Sequence, residues 1–153
     1  MHVSVVLLCL GLVVSVSVCH PQRGRPLNGD VQMRNNIKLL AMITVVHIKN
    51  YLTEFDVPPE MEFNPMNPPI EGLASIWVHL GGLEESLQDS RCGQVYEDLS
   101  SMRGWVHSLS QALGCPDLAK PGGEALKTVY QSLVEGQRYM EKISLNLDKL
   151  KIC

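Results

Sequence analysis

The chain has 153 residues, 45% of them hydrophobic and 19% charged, enough apolar side chain to close a core and to exclude wholesale disorder. Its formal charge is −3 and its basic residues are scattered, so nothing in it is built to follow a phosphate backbone and no nucleic acid is expected as a partner. Aromatic residues make up only 5%, against 7 Met and abundant Leu, a balance that leans toward helices.

Residues 3–18 (VSVVLLCLGLVVSVSV) carry no charge. Ser17-Val18-Cys19 then offers small residues just before His20 and Pro21, the pattern of a secretory signal peptide (1–19) cleaved after Cys19. The apolar run is short for a span of roughly 20 residues. The mature domain, 20–153, is therefore expected to be secreted and extracellular, with no membrane insertion. Cleavage removes Cys9 and Cys19 and leaves Cys92, Cys115 and Cys153. In an oxidising compartment two of the three are expected to bridge, and on spacing alone all three pairings stay open.

Residues 20–29 are polar and read as a loose tail. Asp30 is a plausible N-cap for helix A, about 31–55, in which Ile37, Leu40, Ala41, Thr44, Ile48, Leu52 and Phe55 share one face. Pro58 and Pro59 end it. Residues 56–69 hold five prolines and predict an extended connection. Helix B carries Leu73, Ile76, Trp77, Leu80, Leu83 and Leu87, with Gly81-Gly82 in its middle as a possible bend. After a short turn at 89–93, helix C repeats at Val95, Leu99, Met102, Val106, Leu109 and Leu113, and Gly114-Cys115-Pro116 stops it. Helix D follows with Leu126, Val129, Leu133, Gly136, Met140, Ile143, Leu147 and Leu150. No segment alternates with period two over any length. Four such stripes predict an all-α helical bundle without a sheet.

Motifs that carry chemistry are missing. No H-x-x-x-H, H-E-x-x-H, C-x-x-C, G-x-S-x-G, P-loop or G-x-G-x-x-G spacing occurs, so neither an enzyme, a metal site nor a cofactor is expected. Glu84-Glu85 and Glu97-Asp98 read as solvated charges, and His79 and His107 as surface or boundary residues. Two features point outward. Helix A has a second apolar stripe, Leu39, Met42, Ile43 and Val46, opposite its core face, a candidate binding patch. Trp105 lies about 60° off the core direction of helix C; it is either a core-edge filler or an exposed anchor, whereas Trp77 sits within its stripe and is expected in the core.

Several fragments, taken in order, resemble the leptin family, the fish type above all. They are Phe63 with Pro65, Pro69 and Ile70 at the entry to helix B; Asp98-Leu99, Met102-Arg103 and His107, then Leu109 and Cys115, in helix C; and the ending Asn146-Leu147-Asp148-Lys149-Leu150-Lys151 with Cys153. The resemblance implies a secreted hormone with an up-up-down-down four-helix cytokine bundle and one disulfide, Cys115–Cys153. It implies as partner a class I cytokine receptor, the leptin receptor, and a role in energy balance. One receptor-binding face carries over onto Leu39, Ile43, His47, Gln94, Ser101 and Trp105. A second carries over onto Met61, Glu62, Phe63 and Asn64 with Lys127 and Thr128. Cys92 has no counterpart in the family's two-cysteine pattern; a monomeric ligand is expected, with a Cys92-linked dimer as the alternative. The connection between C and D, about 115–123, is short for a crossing along the bundle, so C must stop early, D start late, or the crossing be taut. Other readings are a different long-chain helical cytokine, or a secreted helical bundle that carries lipid. The bridge separates topologies: parallel C and D bring Cys115 to Cys153, whereas an up-down-up-down order brings Cys92 there.

Overall fold

The computed structural model of the chain describes residues 29–56, 67–120, 127–150 and 153. The signal-peptide segment, Met61, Glu62, Phe63, Asn64 and Leu126 lie outside the described residues. Four α-helices occur in order: α1 Gly29–Leu52, α2 Leu73–Leu87, α3 Gly93–Ala112 and α4 Val129–Asn146, the last prolonged by a 3₁₀ turn at Leu147–Lys149. There is no strand among the described residues.

Contacts at the helix ends fix the topology. Near the start of α1, Arg34 donates to the carbonyl oxygens of Leu147 (2.8 Å) and Leu150 (2.9 Å), just past α4. At the start of α2, the Ala74 amide donates to the Cys153 carbonyl at 2.7 Å. Cys153 is in turn bridged to Cys115, just past α3, with Cα atoms 5.5 Å apart. Two starts and two ends therefore share one pole, which is up-up-down-down. The packing agrees. Both α1 and α2 lie against α3 and α4, while α1 with α2, and α3 with α4, are the diagonals, whose backbones do not approach closely. The Cys115–Cys153 bridge thus accompanies parallel α3 and α4.

The core is assembled from the stripes that the sequence predicts: Ile37, Ala41 and Ile48; Leu73, Ile76, Leu80, Leu83 and Leu87; Val95, Leu99, Met102, Val106 and Leu109; Leu133, Met140, Ile143 and Leu147. All are withdrawn from water, the main source of stability in such a bundle. Helix α2 runs through Gly81-Gly82 without interruption.

Several boundaries depart from expectation, each for a local reason. Helix α1 stops at Leu52 rather than near Phe55, because the Glu54 and Phe55 amides turn back to the carbonyls three residues earlier. Phe55 then leaves the helical stripe and packs its ring against Tyr130 of α4, centroids 5.7 Å apart. Helix α4 starts late, at Val129. Thr128 caps it, its hydroxyl accepting from the Gln131 amide while Gln131 Oε1 accepts from the Thr128 amide. The eighteen residues of α4 span about 27 Å, so the late start is how the short crossing is accommodated. Trp77 is not interior. It is half-buried, its Nε1 donates to the Ala119 carbonyl at 2.9 Å, and the Arg103 guanidinium lies 4.1 Å above its ring. It pins the connection between α3 and α4 to the bundle. Nor is His79 at the surface. It is 5% exposed and its ring lies tilted against that of Tyr139, centroids 4.0 Å apart.

Candidate functional site

On α1 the inward face carries Ile37, Ala41, Thr44 and Ile48. A step of about 100° per residue puts Leu39, Met42, Ile43 and Val46 on the opposite side. All four stand between 40% and 60% exposed. Neither α3 nor α4 covers them, because a corner helix of a four-helix bundle has two neighbours and one outward face. A helix apolar on both sides is suited to a second contact beyond its own core.

The flank of α3 that meets α1 is set by a polar tie. Asp98, one residue before the core Leu99, is only 6% exposed. Its Oδ2 lies 2.6 Å from His47 Nδ1 on α1, and its Oδ1 accepts from Gln94 Nε2 at 3.2 Å, one turn earlier on α3. Buried carboxylates need such partners, since an uncompensated one costs several kcal/mol. The tie also sets the antiparallel register of the two helices. Stepping away from it by single turns puts Ile43 level with Ser101 and Leu39 level with Trp105, each step about 6 Å. Trp105, read as either a core-edge filler or an exposed anchor, is 39% exposed and stands at the edge of this outward face. Gln94 and Ser101 are exposed beside it, and His47 is half-buried. The six residues Leu39, Ile43, His47, Gln94, Ser101 and Trp105 thus lie along one α1/α3 flank.

The second predicted group is brought together only in part. Met61, Glu62, Phe63 and Asn64 are outside the described residues. Thr128 is exposed and caps α4. The Lys127 side chain folds inward instead, its Nζ 2.9 Å from Oε2 of Glu135, a residue 2% exposed. Its charge is spent inside the bundle. Cys92 is also interior, at 2% exposure, and its thiol is free. Burial pushes that thiol above its usual pKa, the Ser90 hydrogen bond partly opposing and the Glu54 charge adding to the rise. A buried protonated thiol is a poor partner for a second chain.

One residue of the site escapes a reading of the sequence by residue type. Asp98 looks like a solvated acid beside Glu97. Its signal is positional: it flanks core Leu99 on the side where Gln94 lies four residues back. Glu84, also read as solvated, pairs with Arg103 at 2.5 Å across α2 and α3. Among the described residues no group of His, Cys, Asp and Glu is arranged to hold a metal ion. No described helix is long and apolar enough to cross a membrane.

The topology, the Cys115–Cys153 bridge at one pole and the apolar outward face define a class: a four-helix bundle of the cytokine type. No family model and no solved structure matches the chain. Among curated proteins it is similar to Leptin-B of Oryzias latipes, 34% identical over 128 residues that span 78% of this chain and 80% of the relative. The chain belongs to the leptin family, and it is a leptin-like cytokine.

Proposed function

We propose that the protein is a secreted leptin-like hormone that docks on the leptin receptor, a class I cytokine receptor, and signals through it in the control of energy balance. The primary docking face is Leu39, Ile43, His47, Gln94, Ser101 and Trp105. A second contact uses Met61, Glu62, Phe63 and Asn64 with Thr128; Lys127 serves there by holding the start of α4 rather than by touching the partner. The observation that carries the reading is the exposed stripe Leu39, Met42, Ile43 and Val46 beside Trp105, a contiguous apolar flank on a helix that already buries its other face. Interface energy concentrates on such aromatic anchors with apolar neighbours.

The test is titration of the folded, disulfide-intact protein against the receptor's extracellular region. Trp105→Ala should weaken binding by about 1–3 kcal/mol, with the unfolding midpoint nearly unchanged, because the ring is not in the core. Loss of stability with unchanged affinity per folded molecule would reassign Trp105 to packing and remove the main support for this face.

A further inference from the structure

The α2/α4 flank, opposite the α1/α3 face, carries a groove of about 450 Å³ beside the segment that leads into α2. Pro68, Pro69, Ala74 and Val78 give it largely apolar walls. The proline wall is tied to the bundle, because Lys142 of α4 donates to the Pro68 carbonyl at 2.8 Å and to the Asn67 carboxamide oxygen. Tyr139 of α4 also lines the groove; it is 2% exposed, and its hydroxyl makes no hydrogen bond. The nearby Ser75 hydroxyl has nothing left to offer. It donates to the Gly72 carbonyl at 2.7 Å and accepts from the Glu71 and Gly72 amides at 3.1 and 3.2 Å, which uses its one proton and both lone pairs. Solvent does not supply a partner either, since the phenol oxygen is screened from water. A buried hydroxyl left unpaired is costly, and native proteins keep few of them. The charge around the groove narrows what could pair with it. Glu71 stands exposed on the rim, and among the described residues no Lys or Arg lines the groove. An anion would meet repulsion there with no compensating cation.

We propose that this groove is a binding site for a small, uncharged, largely apolar molecule with one carbonyl oxygen, which accepts a hydrogen bond from the Tyr139 hydroxyl. The volume falls within the range of small-molecule sites, and apolar walls with one placed polar group are their usual make-up. Entry requires the rim to give way, and the exposed Glu71 side chain is the part of it with room to move. Once bound, the carbonyl supplies the acceptor that Ser75 and water do not. Tyr139 then acts as the specificity element: a hydrocarbon of the same shape fills the walls but leaves the hydroxyl unpaired. The site lies on the flank away from the receptor-docking face, so it stands independently of that reading.

The experiment titrates three probes into the folded, disulfide-intact protein and follows its NMR shifts: benzophenone, diphenylmethane as the same shape without the oxygen, and 4-benzoylbenzoate as an anionic form. Benzophenone should bind with shifts centred on Ala74, Val78 and Tyr139. Diphenylmethane should bind about tenfold more weakly, and 4-benzoylbenzoate more weakly than benzophenone. Tyr139→Phe should bring benzophenone down to the affinity of diphenylmethane and leave diphenylmethane unchanged. Its thermal midpoint should not fall, because the hydroxyl it removes has no partner. Ala74→Phe, at an exposed position on the wall, should block both neutral probes while the fold is kept. Five results overturn the proposal: no benzophenone binding up to its solubility limit, shifts confined to another surface, equal affinity for benzophenone and diphenylmethane, benzophenone binding undiminished in Tyr139→Phe or Ala74→Phe, or 4-benzoylbenzoate bound as tightly as benzophenone. A lowered midpoint in Tyr139→Phe means that the hydroxyl is already paired, and overturns it as well.

Discussion

Two buried protons make stability sensitive to alkali. The Cys92 thiol is pushed above its usual pKa chiefly by burial, and the Tyr139 phenol well above its own for the same reason, the nearby Ser75 hydroxyl only partly offsetting it. Both groups stay neutral in the folded chain at a pH where the unfolded chain begins to release protons. Stability is therefore whole below the ordinary thiol range and falls as pH rises through it, since the unfolded state then binds fewer protons. The urea midpoint should be lower at pH 9.5 than at pH 7.5, and Cys92→Ala should remove part of the difference. Gly136 carries a second residue-scale prediction. It interrupts the stripe of α4, yet the nearest atoms a Cβ there would meet are Ile48 Cδ1 at 3.4 Å and Leu83 methyls at 3.8–4.0 Å, all flexible side-chain ends. Gly136→Ala should therefore stabilise by about 0.5–1 kcal/mol through helix propensity, read as a raised urea midpoint with unchanged slope.

Helices are legible from spacing because each buries a regular stripe, and all four emerge where the periodicity predicts. Their ends are harder, since a cap is one or two hydrogen bonds rather than a repeat. Leu126 continues the stripe of α4 on paper, but the boundary belongs to Thr128 and Gln131, a T-x-x-Q capping box that prevails over the apolar series. Thr128→Ala should cost about 1 kcal/mol of unfolding free energy and Thr128→Ser should restore most of it, again by urea titration. Half of the proposed docking face was equally legible: an apolar stripe opposite a core stripe is visible in any helical projection. The polar half was not. Whether Asp98 is solvated or tied to His47 depends on which helices are neighbours, and local sequence does not contain that. For the same reason Trp77 could be assigned to a stripe, but not to its role of clasping a connection that lies forty-two residues away.

At the scale of the molecule, one covalent bond holds the pole where α1 and α2 begin and α3 and α4 end. It closes a loop of 38 residues, so its loss should cost roughly 2–4 kcal/mol. The Ala74–Cys153 hydrogen bond depends on the same tether. Cys115→Ser should therefore lower the unfolding free energy by that amount, and non-reducing peptide maps of the native protein should recover Cys115 joined to Cys153 with Cys92 unmodified.

The diagonal arrangement of α1 and α2 also governs the order in which the chain can collapse. Among the described helices, successive ones come close only in the α2–α3 hairpin, and the close neighbours of α1 are α3 and α4, more than forty residues downstream. The first helix waits with two apolar sides, so low contact order favours a nucleus in the middle of the chain, with the α1/α3 flank completed only when the rest has gathered. Among the described helices, the one with two apolar sides is thus made first and its inner half sheltered last, which makes it the one most in need of a chaperone's protection.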